Sequence, residues 1–286
     1  MKGLILLFIG AVLLTGTAAG EPAIRIKSPR DHQVIPPGGL MILVVASGQV
    51  RLVPPGTAED PQNPLPAGYL EVSIGDRAAP WLRQDLDRNV NYVFLPADAP
   101  AGRWPLRVRL LDKDKQSLAP EQKVEFVVEA DGQGPFHSLT SNGAWSPVPV
   151  EEDPLAHDRP PGGGCSEWNW FEEGGTLEVQ TGLDCDYLSL RQPLLQDIKA
   201  GDHLRVVAWH SQLGFDEPAT AHVALLLGGD ILWEEYVAIP SGAGSWDMIL
   251  QAQRDVPAGT PIIFHLHNHG SNAWNLLTID ARRPPD

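Results

Sequence analysis

No stretch of this chain carries apolar residues at helical spacing, and that constrains its fold more than any other feature. Short apolar or alternating runs are instead cut repeatedly by proline and glycine. In the first half such runs fall at residues 24–26, 40–45, 69–74, 92–95, 106–111 and 124–128. Leu106, Val108 and Leu110 alternate with Arg107 and Arg109, the period-2 pattern of a half-exposed strand. In the second half, runs at 176–180, 187–190, 204–209, 222–227, 231–239, 248–253, 262–268 and 276–279 continue the rhythm. Many short strands separated by Pro/Gly turns predict an all-β chain built as two β-sandwich domains.

The domain plan follows from composition shifts. Residues 1–20 read as an export leader: Lys2 is a minimal positive region, an apolar run follows at 4–14, and small residues near Ala19 and Gly20 suit cleavage. That run is short for a membrane span, and no later one has the apolar length of a transmembrane helix, so no membrane insertion is expected. A first sandwich is expected over 21–130. Residues 131–164, with six prolines and six glycines, read as a linker, although Phe136 and Trp145 suggest that part of it packs on a domain. The second sandwich takes 165–286. The two cysteines, Cys165 and Cys185, both lie beyond the leader. In an oxidising compartment they are expected to pair, closing a loop of about twenty residues worth ~3 kcal/mol, the alternative being two free thiols.

Charge is unevenly placed. Residues 21–130 hold 13 basic and 14 acidic side chains, whereas 131–286 hold 7 and 22. An acidic half disfavours nucleic acid or an anionic membrane, because phosphates need Lys and Arg. The same half carries seven of the nine tryptophans and eight of the nine histidines, so any ligand chemistry is expected there.

Within it, His265, His267 and His269 alternate with Leu266 and Asn268, which puts three imidazoles on one side of a strand. Such a row either lines a wet binding surface or holds a metal. As a binding surface, the row with Asn272 and Trp274 at its edge supplies hydrogen-bonding groups and a stacking face for a glycan or similar polar ligand. Trp168, Trp170, Trp209, Trp233 and Trp246, with Asn268, Asn275, Glu234 and Glu235, widen the set of candidates, each weighed against a packing role. As a metal site, His265 and His267 would be joined by His210 or His222 from neighbouring strands, suiting zinc. Calcium is the ion that Glu172, Glu173, Asp184 and Asp186 would suit, against the simpler reading of exposed acids beside a turn. No cofactor is required by any motif. Serine-elbow, P-loop, dinucleotide and His-Glu-x-x-His signatures are all missing, which points to binding rather than catalysis.

Two resemblances add to this. The opening Ile24-Arg-Ile-Lys-Ser-Pro-Arg-Asp-His-Gln-Val-Ile-Pro-Pro-Gly, with Ala101-Gly-Arg-Trp-Pro-Leu-Arg-Val-Arg-Leu-Leu-Asp and Lys123-Val-Glu-Phe-Val-Val, resembles bacterial immunoglobulin-like modules. Those modules commonly serve as spacers or presenters. Gly174-Gly-Thr-Leu-Glu-Val, Tyr187-Leu-Ser-Leu, Ala200-Gly-Asp-His-Leu-Arg-Val and Asn268-His-Gly-Ser-Asn-Ala-Trp-Asn-Leu-Leu-Thr-Ile resemble the galactose-binding-like, carbohydrate-binding jelly rolls of secreted bacterial proteins. The resemblance implies a secreted, non-enzymatic protein that binds a glycan. A metal-dependent enzyme using the histidine row and a structural envelope protein without a small ligand stay open as alternatives.

Overall fold

A computed structural model of the chain describes residues 21–130, 135–182 and 184–284; the expected export leader lies outside them. The described chain is all-β, its helical content confined to three single 3-10 turns at Val150–Glu152, Ala156–Asp158 and Glu167–Asn169. Among the described residues no helix is long and apolar enough to cross a membrane.

Nine strands make the first sandwich: β1 (Ala23–Ser28), β2 (Val34–Ile35), β3 (Leu40–Gly48), β4 (Arg51–Leu52), β5 (Ala67–Gly75), β6 (Pro80–Leu86), β7 (Val90–Phe94), β8 (Gly102–Leu111) and β9 (Gln122–Val128). One sheet runs β1-β3-β7; the other runs β2-β9-β8-β5, with β4 and β6 also paired to β5. The register explains the alternation seen in the sequence. Leu70, Val72 and Ile74 lie opposite Leu110, Val108 and Leu106 and are fully buried, while the intervening Glu71 and Arg109 pair outside at 3.0 Å.

Eleven further strands make the second sandwich: β10 (His137–Ser138), β11 (Ser146–Pro147), β12 (Trp170–Glu173), β13 (Thr176–Gln180), β14 (Tyr187–Pro193), β15 (His203–His210), β16 (Ala219–Leu227), β17 (Asp230–Ile239), β18 (Gly244–Gln251), β19 (Pro261–His267) and β20 (Ala273–Arg282). A six-stranded sheet, β12-β13-β20-β15-β18 with β10 on β20, faces a five-stranded sheet, β11-β14-β19-β16-β17. Leu177, Val206, Leu225, Phe264, Leu276 and their neighbours fill the space between. Cys165 and Cys185 form the expected disulfide.

The stretch read as a linker does more than connect. From His137 onward it is part of the second sandwich: β10 pairs with β20, β11 pairs with β14, and Leu139 and Trp145 sit in the core. Beyond β11 it crosses the outer face of the five-stranded sheet as a strap, where Val148 and Leu155 cover Ala224, Leu226 and Ile263. Its many prolines suit an irregular path that would otherwise leave backbone donors unpaired.

The opposite outer face is covered by the first sandwich. Ile42 and Val44 of β3 pack with Val207 of β15, flanked by Leu40, Val90, Trp209, Ala243 and Leu277. This accounts for the unbroken apolar run Leu40-Met-Ile-Leu-Val-Val. Met41, Leu43 and Val45 face their own core, and the residues between them face the neighbouring sandwich. A polar clamp fixes the junction. Arg205 donates twice to Asp247, both at 2.9 Å, and once to the carbonyl of Leu40 at 3.0 Å; the two side chains are 7% and 2% exposed. Arg282 pairs with Glu129 a little further along.

In the second core, the partly buried Trp246 stacks on Trp274 and meets Trp233 edge-on, with ring centroids 6.4 and 5.2 Å apart. His210 lies against Trp246 and Trp274, with centroids 5.5 and 4.9 Å away, and donates from Nδ1 to the Ser211 carbonyl at 2.7 Å. Burial holds this imidazole below its ordinary pKa, the Ser211 hydrogen bond opposing only in part.

Two outcomes follow from this packing. Replacing Asp247 with Ala strands the buried guanidinium and is expected to cost about 3–5 kcal/mol, read from guanidinium-chloride unfolding. His210 binds a proton less readily when folded than when unfolded. Its contribution is therefore complete above the unfolded pKa of about 6.5 and declines as pH falls below it. The drop in denaturation midpoint between pH 8 and pH 5 should shrink in His210→Phe; an unchanged drop would show that His210 carries none of it.

Candidate functional site

The two covered outer faces of the second sandwich each carry a cluster of polar side chains, and the two clusters differ in what they can hold. On the six-stranded sheet, Glu178 of β13, Asn275 of β20 and Trp209 of β15 stand side by side in register on adjacent strands. The first sandwich stops short of covering them. It leaves an open cleft of about 560 Å³, whose other wall is Asp87, Arg88, Asn91 and Tyr92 and whose floor includes Glu173 and Thr176. Tyr92 meets Trp209 edge-on, with centroids 6.2 Å apart, and accepts a hydrogen bond from its indole N–H at 3.1 Å. Burial pushes the Tyr92 phenol above its ordinary pKa, so it stays a neutral donor and acceptor. Asn275 is 2% exposed, yet neither its Oδ1 nor its Nδ2 has a protein partner. An unpartnered buried polar group costs about 1–3 kcal/mol, a cost that a water or other polar molecule reaching this carboxamide would relieve.

On the five-stranded sheet, two of the three histidines expected in a row, His265 and His267, lie on the outer face of β19. Ser189, His265 and Ala224 lie opposite one another on β14, β19 and β16, as do Tyr187, His267 and His222. His265 is fully buried beneath the strap and shares a 2.9 Å hydrogen bond between its Nδ1 and Ser189 Oγ; its Nε2 has no partner. Burial foremost, then repulsion from His222, lowers its pKa to about 3, so the ring is neutral. His267 is also held low, by burial first and then by His269. His269 lies past the strand end, its ring 5.0 Å from that of His267 and 5.8 Å from Phe215. His222 bridges two carboxylates: Nδ1 to Asp158 Oδ2 at 2.9 Å and Nε2 to Glu234 Oε2 at 3.2 Å, with Tyr236 stacked on it at 4.4 Å. The strap is tied down by Tyr187 donating to Asp153 at 2.7 Å and by the Arg191–Glu152 pair.

Three sequence assignments are corrected by this arrangement. Trp274 is 1% exposed in the core and cannot stack on a ligand; its indole N–H donates to Asn268 Oδ1 at 3.1 Å. Asn272 is a loop brace. Its amide donates to the His269 carbonyl at 2.7 Å and its oxygen accepts from the Gly214 N–H at 2.7 Å. His210 belongs to the tryptophan stack on the other sheet and does not join the histidine row. The acids Glu172, Glu173, Asp184 and Asp186 do not gather either. Among the described residues the His, Asp, Glu and Cys side chains whose ligand atoms converge as a group of three are Asp158, His222 and His265. Sequence reasoning missed Asp158, which sits in the segment read as linker, and Ser189, whose place beside His265 depends on strand register.

No protein-family model matches the chain, and no curated protein sequence matches it. Several solved structures superpose on it. Carbohydrate-binding modules of the β-sandwich superfamily, described as promiscuous in specificity, are 11% identical over 93% of this chain and 99% of theirs, with a TM-score of 0.26. A Bacteroides ovatus protein of a mixed-linkage glucan utilization locus, bound to a mixed-linkage heptasaccharide, is 12% identical over 87% of this chain and 51% of its own, with a TM-score of 0.25. Fibronectin(III)-like modules of Clostridium thermocellum CbhA are 8% identical over 81% and 95%, also at 0.25. Similarities of this size fix neither a ligand nor an activity for the chain.

Proposed function

We propose that the protein is an exported binding protein for a neutral polyhydroxylated ligand, in the first instance a glycan, held in the cleft between its two sandwiches. The observation that carries this reading is the open cleft between the sandwiches, lined by Trp209, Tyr92 and Glu178, with the Asn275 carboxamide unpartnered and closed to solvent beneath it. Around it stand the groups that hydroxyl recognition uses. Trp209 and Tyr92 offer apolar ring surface and a phenol, Thr176 a hydroxyl, and Glu173, Glu178 and Asp87 strong acceptors for O–H donors. Three carboxylates against the single guanidinium of Arg88 disfavour phosphate or carboxylate ligands in the same space.

On this reading the ligand would sit on the opposite face of the second sandwich from the histidine row. His265 is sealed beneath the strap, and the amide and indole expected at its edge are already engaged within the protein. The disulfide suits an oxidising compartment and so an exported protein. Asn275 and Glu178 would read hydroxyls, while Trp209 and Tyr92 would bound the ligand laterally.

Binding is tested by titrating soluble polysaccharides and a glycan array with the wild-type protein, Asn275→Ala and Glu178→Gln. Each variant is expected to bind at least about tenfold more weakly, ~1.4 kcal/mol. The melting temperature of Asn275→Ala should hold or rise, because the Asn275 side chain makes no hydrogen bond whose loss would destabilise the fold. Glycan binding that survives both changes and disappears in His267→Ala would move the site to the histidine face and refute the cleft.

A further inference from the structure

The histidine face plays no part in that reading, and its geometry calls for an explanation of its own. A β-sheet surface covered by a strap would ordinarily be apolar, as it is a few residues away where Val148 and Leu155 meet Ala224 and Leu226. Here the covered surface holds two imidazoles and a carboxylate. One ligand atom from each of Asp158, His222 and His265 lies within 4.8 Å of the other two. We propose that these three side chains form a site for a divalent transition-metal ion of the zinc class, closed over by the strap that brings Asp158.

Three features of the cluster support the assignment. First, His265 is fully buried and has one nitrogen, Nε2, without any partner, although burying an unpaired ring nitrogen is unfavourable. A metal ion would satisfy it. Second, each histidine has an outer partner of the kind that fixes the tautomer of a metal ligand. Ser189 Oγ can accept from His265 Nδ1–H, leaving Nε2 as the lone pair. Glu234 can accept from His222 Nε2–H, leaving Nδ1 for the ion beside Asp158. Third, the donor set discriminates. Two imidazole nitrogens and one carboxylate match zinc and its neighbours, whereas calcium and magnesium ask for oxygen alone. Three protein ligands leave a fourth position for water or another group.

The strap gives the site a structural meaning as well. Asp158 is separated from His222 by 64 residues and His265 by a further 43, so an ion held by all three would pin the strap to β16 and β19. This proposal does not depend on the cleft reading, since the two clusters lie on different sheets.

The experiment is elemental analysis and zinc titration of tag-free protein, stripped with a chelator, reloaded and desalted, for the wild type and for His222→Gln, His265→Gln and Glu234→Gln. One bound equivalent is expected in the wild type. It should be lost in the two ligand variants and weakened about 10–100-fold in Glu234→Gln, and His269→Gln serves as the control that retains it. Excess calcium should not displace it, and cobalt in its place should give the intense visible absorption of a four-coordinate ion. If His265→Gln fails to fold, His222→Gln, whose ring stacks beneath the exposed Tyr236, carries the test. No stoichiometric zinc or cobalt in the wild type would overturn the site, as would an equivalent of metal that survives in His222→Gln.

Discussion

A β-sandwich buries two inner sheet faces and leaves two outer ones, and the fate of the outer faces governs the rest of this molecule. The second sandwich leaves neither bare. Ile42 and Val44 of the first sandwich lie on one and the strap residues Val148 and Leu155 on the other. Covering an outer face removes water from whatever polar side chains stand on it. Each such side chain must then find a partner or carry a desolvation cost. One candidate site arises where the strap meets polar residues rather than apolar ones, the other where the first sandwich stops short of the sheet.

The buried amides of the second sandwich differ in how far their polar groups are satisfied. Asn268 donates to Thr181 Oγ1 and the Gly270 carbonyl and accepts from Trp274; Asn272 is equally engaged, and together they brace the loop between β19 and β20. Asn275, three residues on, has no protein partner at either end. The two buried histidines differ in surroundings: each has its Nδ1 engaged, His210 by Ser211 among tryptophans and His265 by Ser189, and the buried Nε2 of His265 stays unpartnered beside His222 and Asp158. A buried asparagine or histidine is common in a core; one left unpartnered is not.

The fold was legible in the sequence because its signal is local. Period-2 alternation at Leu106, Val108 and Leu110, the unbroken run of β3 and the Pro/Gly turns each reflect a strand's immediate surroundings. The all-β class and the facing of His265 and His267 could be read that way. What could not be read depends on register and on distant segments. Ser189 reaches His265 because β14 and β19 pair with that offset, and Asp158 reaches His222 across 64 residues through a segment whose composition resembles a linker. Trp274 and Asn272 looked like ligand readers because they follow the histidines in sequence. The turn between β19 and β20 carries the chain into the other sheet, and β20 enters with Trp274 facing the core.

The junction between the sandwiches shows why a cleft survives there at all. Two sheets pressed together over their whole area would exclude everything from between them, and the apolar contact of Ile42, Val44, Val207 and Leu277 does so locally. The Arg205–Asp247 pair adds a directional element. The bidentate bond fixes the guanidinium, and the remaining N–H holds the Leu40 carbonyl at the start of β3. β7, which carries Tyr92, is hydrogen-bonded alongside β3, so the clamp and one wall of the cleft lie on neighbouring strands. A ligand bound there would touch both sandwiches, so its affinity would depend on their relative placement as well as on the side chains that line the cleft.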